Sequence, residues 1–146
     1  VDLNKDGKLD ILATNHQHND GSAVYAYEMP KNPLTDEWKR HTLLGNIKTE
    51  KRGMNEAAPG SAYAFYPNLN DKSGKPWIAV AGDGSTKVHV LVPNKNDKND
   101  WTYTEKVPLD TKGTVGQIAI GDIDGDNKVE IVVPAYDEHT IYVLRN

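Results

Sequence analysis

The sequence predicts an all-β fold assembled from one short unit used three times, and three observations carry that expectation. Short alternating apolar segments recur along the whole chain, bounded by Gly, Pro, Asn and Asp. Three of them align with one another: Asp10-Ile11-Leu12-Ala13-Thr14-Asn15-His16, Trp77-Ile78-Ala79-Val80-Ala81-Gly82-Asp83 and Glu130-Ile131-Val132-Val133-Pro134-Ala135-Tyr136. Each aligned segment is followed by a polar turn and a second alternating run, at 23–27, 87–92 and 140–144, which makes the unit a hairpin.

Taken in order, the chain opens on an acidic loop, Asp2-Leu3-Asn4-Lys5-Asp6-Gly7-Lys8-Leu9-Asp10, and repeats the device near its end as Asp122-Ile123-Asp124-Gly125-Asp126-Asn127-Lys128-Val129-Glu130. Oxygen-bearing side chains stand at the first, third, fifth and ninth positions of each loop. Alternate residues of a curled loop point inward, so these side chains can converge on a hard cation such as Ca²⁺, which takes six to eight oxygen ligands. The expected ligands are Asp2, Asn4, Asp6 and Asp10 with the Lys8 carbonyl, and Asp122, Asp124, Asp126 and Glu130 with the Lys128 carbonyl, giving two Ca²⁺ sites. An EF-hand is excluded: position twelve is Ala13 or Val133 instead of a closing acid, and each loop runs into a strand instead of a helix.

The first two hairpins continue into a third strand led by tryptophan, at 38–43 and 101–107, and the last two are preceded by another strand, at 61–66 and 115–120. The stretch 45–59 lacks alternation and reads as a long connecting loop. The middle unit has its own loop, Asn68 to Trp77, but with Trp77 where the closing acid should stand and Lys75 inside, so a turn held by its own hydrogen bonds is expected there. Four strands per unit, with 67 residues from Asp10 to Trp77 and 53 from Trp77 to Glu130, match the blades of a β-propeller with one insertion. About two and a half to three blades of a larger ring are expected: residues 1–45 lacking a first strand, an inter-blade loop at 46–59, a middle blade at 60–110, and residues 111–146 lacking an outer strand. The C-terminus then reads as native and the N-terminus as truncated.

Charge and composition narrow the function. A net charge of −4, from 17 basic and 21 acidic residues, offers no broad attraction for nucleic acid or anionic membrane, and no run approaches the length of a membrane span. With no cysteine, disulfides, thiolate metal sites and a cysteine nucleophile are all excluded. Serine hydrolase chemistry has no local signature, since neither a Gly-x-Ser-x-Gly elbow nor a phosphate-binding glycine loop is present. His16 and His18 beside Asp20 are the histidines closest in sequence, and in a turn they can ligate a metal or move protons. His41 and His89 fall in strands and read as structural.

The pattern Asp-x-(Asp/Asn)-x-Asp followed by an acid and Ile-(Leu/Val), with Gly116-Gln117-Ile118-Ala119-Ile120-Gly121-Asp122 leading into the last copy, resembles the FG-GAP/VCBS repeat family of β-propellers. That family includes integrin α-subunit heads, fungal lectins and propeller domains of secreted polysaccharide-active enzymes. The resemblance implies cation loops on one face of the disc and ligand binding on the other. The ligand face would hold Asn15, His16, His18, Asp20, Asp83, Ser85, Tyr136, Asp137 and His139, with Arg52 and Asn55 from the long loop. It also implies a secreted, non-catalytic calcium-binding module that recognises glycan or protein. The alternative is a scaffold or active-site part of a larger secreted sugar-active lyase or dehydratase. The remaining blades, or a second copy, are expected to cover the ends of the array.

Overall fold

The computed structural model describes residues 1–18, 21–50 and 57–145. Regular structure among them is β, apart from a single 3-10 turn at Tyr136–Glu138. Three small antiparallel sheets follow one another along the chain. The first is β1 (Ile11–Thr14), β2 (Ala23–Glu28) and β3 (Lys39–Gly45) in that order. The second is β4 (Ala62–Phe65), β5 (Trp77–Ala81), β6 (Lys87–Pro93) and β7 (Tyr103–Asp110). The third is β8 (Ala119–Gly121), β9 (Glu130–Ala135) and β10 (Thr140–Leu144). Within each sheet sequence neighbours pair antiparallel, because their connections are too short for a parallel crossover.

One strand is shorter than its alternation suggests. The segment 115–120 was expected as one strand, yet β8 begins at Ala119, while Val115 makes separate bridges to Asp83 and to Ala135. The pairing Val115↔Ala135 resumes as Ala119↔Val132, so three residues (116–118) stand against two (133–134). That extra residue is a bulge, and it sits beside Pro134, which has no N–H to donate. The first and second sheets carry matching irregularities: the β2–β3 register slips between Val24 and Tyr25, and the β6–β7 register between Val88 and Val90.

Period-two alternation decides which face each side chain takes. In β5, Ile78 and Val80 join a buried cluster with Leu3, Val24, Ala26 and Leu43 of the first unit, while Ala79 and Ala81 join a second cluster with Val115, Ile118, Ile131 and Val133 of the third. The middle sheet is thus covered on both faces, which explains why β5 and β6 are nearly continuously apolar. The outer sheets are covered on one. Ile78 and Ile131 are 0% and 6% exposed, whereas Ile11, at the same strand position of the first sheet, is 50% exposed. At the other end, Val88 and Val90 of β6 are 0% and 6% exposed, whereas Ile141 and Val143, their counterparts in β10, are 69% and 44% exposed.

Candidate metal loops and ligand face

The two acidic loops fold in the same way, residue for residue at an offset of 120. Asp2 Oδ1 accepts hydrogen bonds from the amides of Lys5 (2.7 Å) and Asp6 (3.2 Å), and its Oδ2 from Gly7 (3.1 Å). Asp122 repeats this with Gly125 (2.7 Å), Asp126 (3.1 Å) and Asn127 (2.9 Å). Asn4 Oδ1 and Asp124 Oδ1 accept from the amides of Asp6 (3.1 Å) and Asp126 (3.3 Å), and Asp6 and Asp126 accept from Lys8 (2.9 Å) and Lys128 (2.7 Å). The closing acids also match, with Leu3 N–H donating to Asp10 (2.9 Å) and Ile123 N–H to Glu130 (3.0 Å). Both curls need left-handed backbone at two points, met by Lys5 (φ 67°) and Gly7 (φ 89°) in one and by Gly125 (φ 81°) and Asn127 (φ 66°) in the other. Glycine and asparagine tolerate that region best, and the two loops place their glycines at alternate corners.

This wiring gathers negative charge. Asp122, Asp124 and Glu130 bring carboxylate oxygens within 4.8 Å of one another, a set that can hold a metal ion. In the first loop Asn4 replaces one of those carboxylates by an amide. Both closing acids are buried, Asp10 at 5% and Glu130 at 2% exposed, and burial pushes the Asp10 carboxyl up from the usual range against the opposing pull of its bonds from Met29 and Leu3, with Asp6 and Asp2 adding repulsion. Among the described residues, opposite charge is supplied at the rims, by Lys8 at 3.9 Å from Asp6, Lys128 at 3.8 Å from Asp126 and Arg145 at 3.5 Å from Asp124.

The middle loop keeps the turn and loses the donors. Asp71 Oδ1 accepts from Ser73 N–H (3.0 Å), as Asn4 and Asp124 do from their own second neighbours. The places of Asp2 and Asp10 are taken by Leu69 and Trp77, so two of the four convergent oxygens are gone. Lys75 is buried there with its ammonium donating to the carbonyls of Asp97 and Asp100, and desolvation holds it below the usual lysine range.

The turns after β1, β5 and β9 carry the candidate ligand face. Isolated bridges tie Gln17 to Ala58, Asp83 to Val115, and Val115 to Ala135. They bring His16 and Asp83 together, with His16 Nε2 2.8 Å from Asp83 Oδ2, and both residues have left-handed backbone (φ 36° and 51°). Asn15 is used locally, donating to Gly21 O and accepting from Ala23 N–H. Asp137 Oδ2 accepts from Thr114 N–H (2.7 Å). His18, Tyr136 and His139 are exposed. Asp20, Arg52 and Asn55 lie outside the described residues.

The two strand histidines are partnered differently. His41 Nε2 lies 2.8 Å from Glu28 Oε2, and its ring stacks on Trp101 at 4.1 Å. His89 instead links Ser85 and Glu105: Ser85 Oγ is 2.9 Å from Nε2, and Glu105 Oε1 is 2.6 Å from Nδ1. Sequence reasoning missed this constellation. Its members come from a turn and two strands, and no local motif marks such a set. No family model, curated protein or solved structure matches the chain.

Proposed function

We propose that the chain forms successive blades of an FG-GAP/VCBS-type β-propeller that binds two structural Ca²⁺ ions and presents the turns around His16, Asp83 and Asp137 for recognition of a glycan or protein outside the cell. The observation that supports this most is the shared hydrogen-bond scheme of the 2–10 and 122–130 loops. It turns the same oxygen positions inward twice and leaves clustered acids that repel one another without a cation. Asp2, Asn4, Asp6, Asp10 and the Lys8 carbonyl would hold one ion, and Asp122, Asp124, Asp126, Glu130 and the Lys128 carbonyl the other. The exposed apolar rows, Ile11 on one outer face and Ile141 with Val143 on the other, support coverage by further blades or by a second copy.

Calorimetry on the EGTA-stripped chain tests the metal half of this reading, with two Ca²⁺ per chain expected. A glycan array in the presence of Ca²⁺ tests the recognition half. Uptake of no Ca²⁺ overturns the first, and absence of both glycan and protein ligands for the calcium-loaded chain overturns the second. The hydrogen-bonded His16–Asp83 pair favours a second reading, a scaffold or active-site part of a sugar-active lyase or dehydratase, because strained backbone gathers at functional sites. Under that reading His16→Gln removes turnover of a sugar substrate while leaving Ca²⁺ uptake intact.

A further inference from the structure

Ser85, His89 and Glu105 line a cavity of about 290 Å³ between the first and second sheets, together with Leu44, Ile47 and Lys87. Their contacts fix the chemistry of the imidazole. An ionised Glu105 can only accept, so at 2.6 Å it requires the proton on Nδ1. Nε2 of the neutral ring is then a bare acceptor, and at 2.9 Å it takes the Ser85 hydroxyl proton. Burial holds His89 below the usual imidazole range, against the opposing pull of Glu105, so the ring is unprotonated near neutral pH.

The surrounding backbone is shaped to this contact. A Cβ at Gly82 would come 2.1 Å from Ser85 Oγ and 2.2 Å from the Lys87 carbonyl, so only glycine leaves room for the hydroxyl. The β6–β7 register slips across His89, between Val88 and Val90, a position at which a bulge re-aims a side chain. Nucleophile, base and orienting carboxylate therefore stand in the order and at the spacing that acyl transfer uses.

We propose that Ser85 is an activated nucleophile that accepts the acyl group of small carboxylic esters. Ser85 Oγ bonds to the ester carbonyl carbon as the bond to the leaving alkoxide breaks. The serine proton passes to His89 Nε2 and then to the departing alkoxide, giving an acyl-serine and a free alcohol. Glu105 is a positioning residue that holds the tautomer. The amides of Ser85 and Thr86 are committed to the carbonyls of Gly82 and Asp83, so no amide pair of this turn is free for the oxyanion. The positive charge lining the same cavity is that of Lys48 and of Lys87, whose ammonium also pairs with Glu50 at 3.5 Å. A long-lived acyl-enzyme is the expected product, with slow release by water.

The test uses the purified full chain with p-nitrophenyl acetate and, separately, with diisopropyl fluorophosphate, read by intact mass and peptide mapping. One adduct on Ser85 is expected, with none on the exposed Ser73, whose hydroxyl instead meets Asp71. His89→Asn should slow labelling by ~100-fold, the low end of general-base contributions. Glu105→Gln, at a side chain 38% exposed, should fold and label more slowly. Its labelling should also follow pH differently, because among the described residues Glu105, Lys87, Lys48 and Glu50 are the charged groups around the cavity and Glu105 is the one touching the ring. Absence of a Ser85 adduct on the folded wild type overturns the proposal. So does equal labelling of Ser85 in folded His89→Asn, or a Glu105→Gln variant with unchanged rate and pH profile.

Discussion

Leu3 and Ile123 occupy the same place in two loops that share their hydrogen bonds, yet Leu3 is 0% exposed and Ile123 is 55% exposed. Leu3 is packed in the cluster between the first and second sheets, while no described residue lies over Ile123 in the same manner. The same contrast separates Val88 and Val90 of β6 from Ile141 and Val143 of β10. A loop's local wiring is thus set by its own oxygens and amides, whereas the worth of its apolar residue is set by the neighbouring layer. The middle loop completes the comparison: with Leu69 and Trp77 in place of two acids it keeps the turn, and it carries the buried cation Lys75.

The largest effect should separate Leu3 from Ile123. Leu3→Ala should cost about 2–5 kcal/mol, as large-to-small core changes do, whereas Ile123→Ala should stay within about 0.5 kcal/mol, as surface changes do. Denaturant unfolding of both variants under the same Ca²⁺ concentration measures the pair. A loss at Ile123 comparable to that at Leu3 would mean that another layer covers it in solution, and light scattering would then report a second copy.

Calcium comes next. A cation that binds only the folded chain stabilises it by about 2.7 kcal/mol at a hundredfold excess over Kd, so EGTA should lower Tm. Asp122→Ala should remove one of two calorimetric sites, because Asp122 receives three backbone N–H groups as well as facing Asp124 and Glu130. Asp71→Ala should leave both sites in place.

A smaller effect tests the two loops against each other. Asp124 brings a charge where Asn4 brings a dipole, so the 122–130 loop should bind Ca²⁺ more tightly. Asn4→Asp should tighten the first loop by about tenfold, or about 1.4 kcal/mol, and Asp124→Asn should weaken the second. A ranking that survives both exchanges would show that burial of the first loop, not ligand charge, sets the order.

The smallest effect concerns pH. His89 is held below the usual imidazole range by burial, so the unfolded chain takes up this proton first. The contribution to stability is fully present above about pH 6.5 and declines as pH falls below it toward the folded-state value. Urea midpoints of wild type between pH 7.5 and 5 should fall more steeply than those of His89→Gln, and parallel curves would place the titrating group elsewhere.

Much of this structure was legible in the chain. The alternation at 23–27, 87–92 and 140–144 became β2, β6 and β10, and the leading tryptophans marked the entries to β3 and β7. Both acidic loops were visible as spacing, because the wiring they share links residues no more than seven apart. The segment 115–120 was misjudged in extent: alternation records which face a residue prefers, but not that Pro134 and a bulge interrupt the partner ladder.

What the sequence determined by itself is therefore local: the all-β class, the hairpins, the curl of each acidic loop and the loss of acids from the middle one. Those follow from backbone preference, side-chain period and short hydrogen bonds. Only the tertiary structure decided that His16 meets Asp83 across 67 residues, that Ser85 and Glu105 flank His89, and that Ile11 and Ile141 stay uncovered while Ile78 and Val88 do not. Strand register and the stacking of sheets set those meetings, and both depend on partners distant in the chain, whose identity no local pattern encodes.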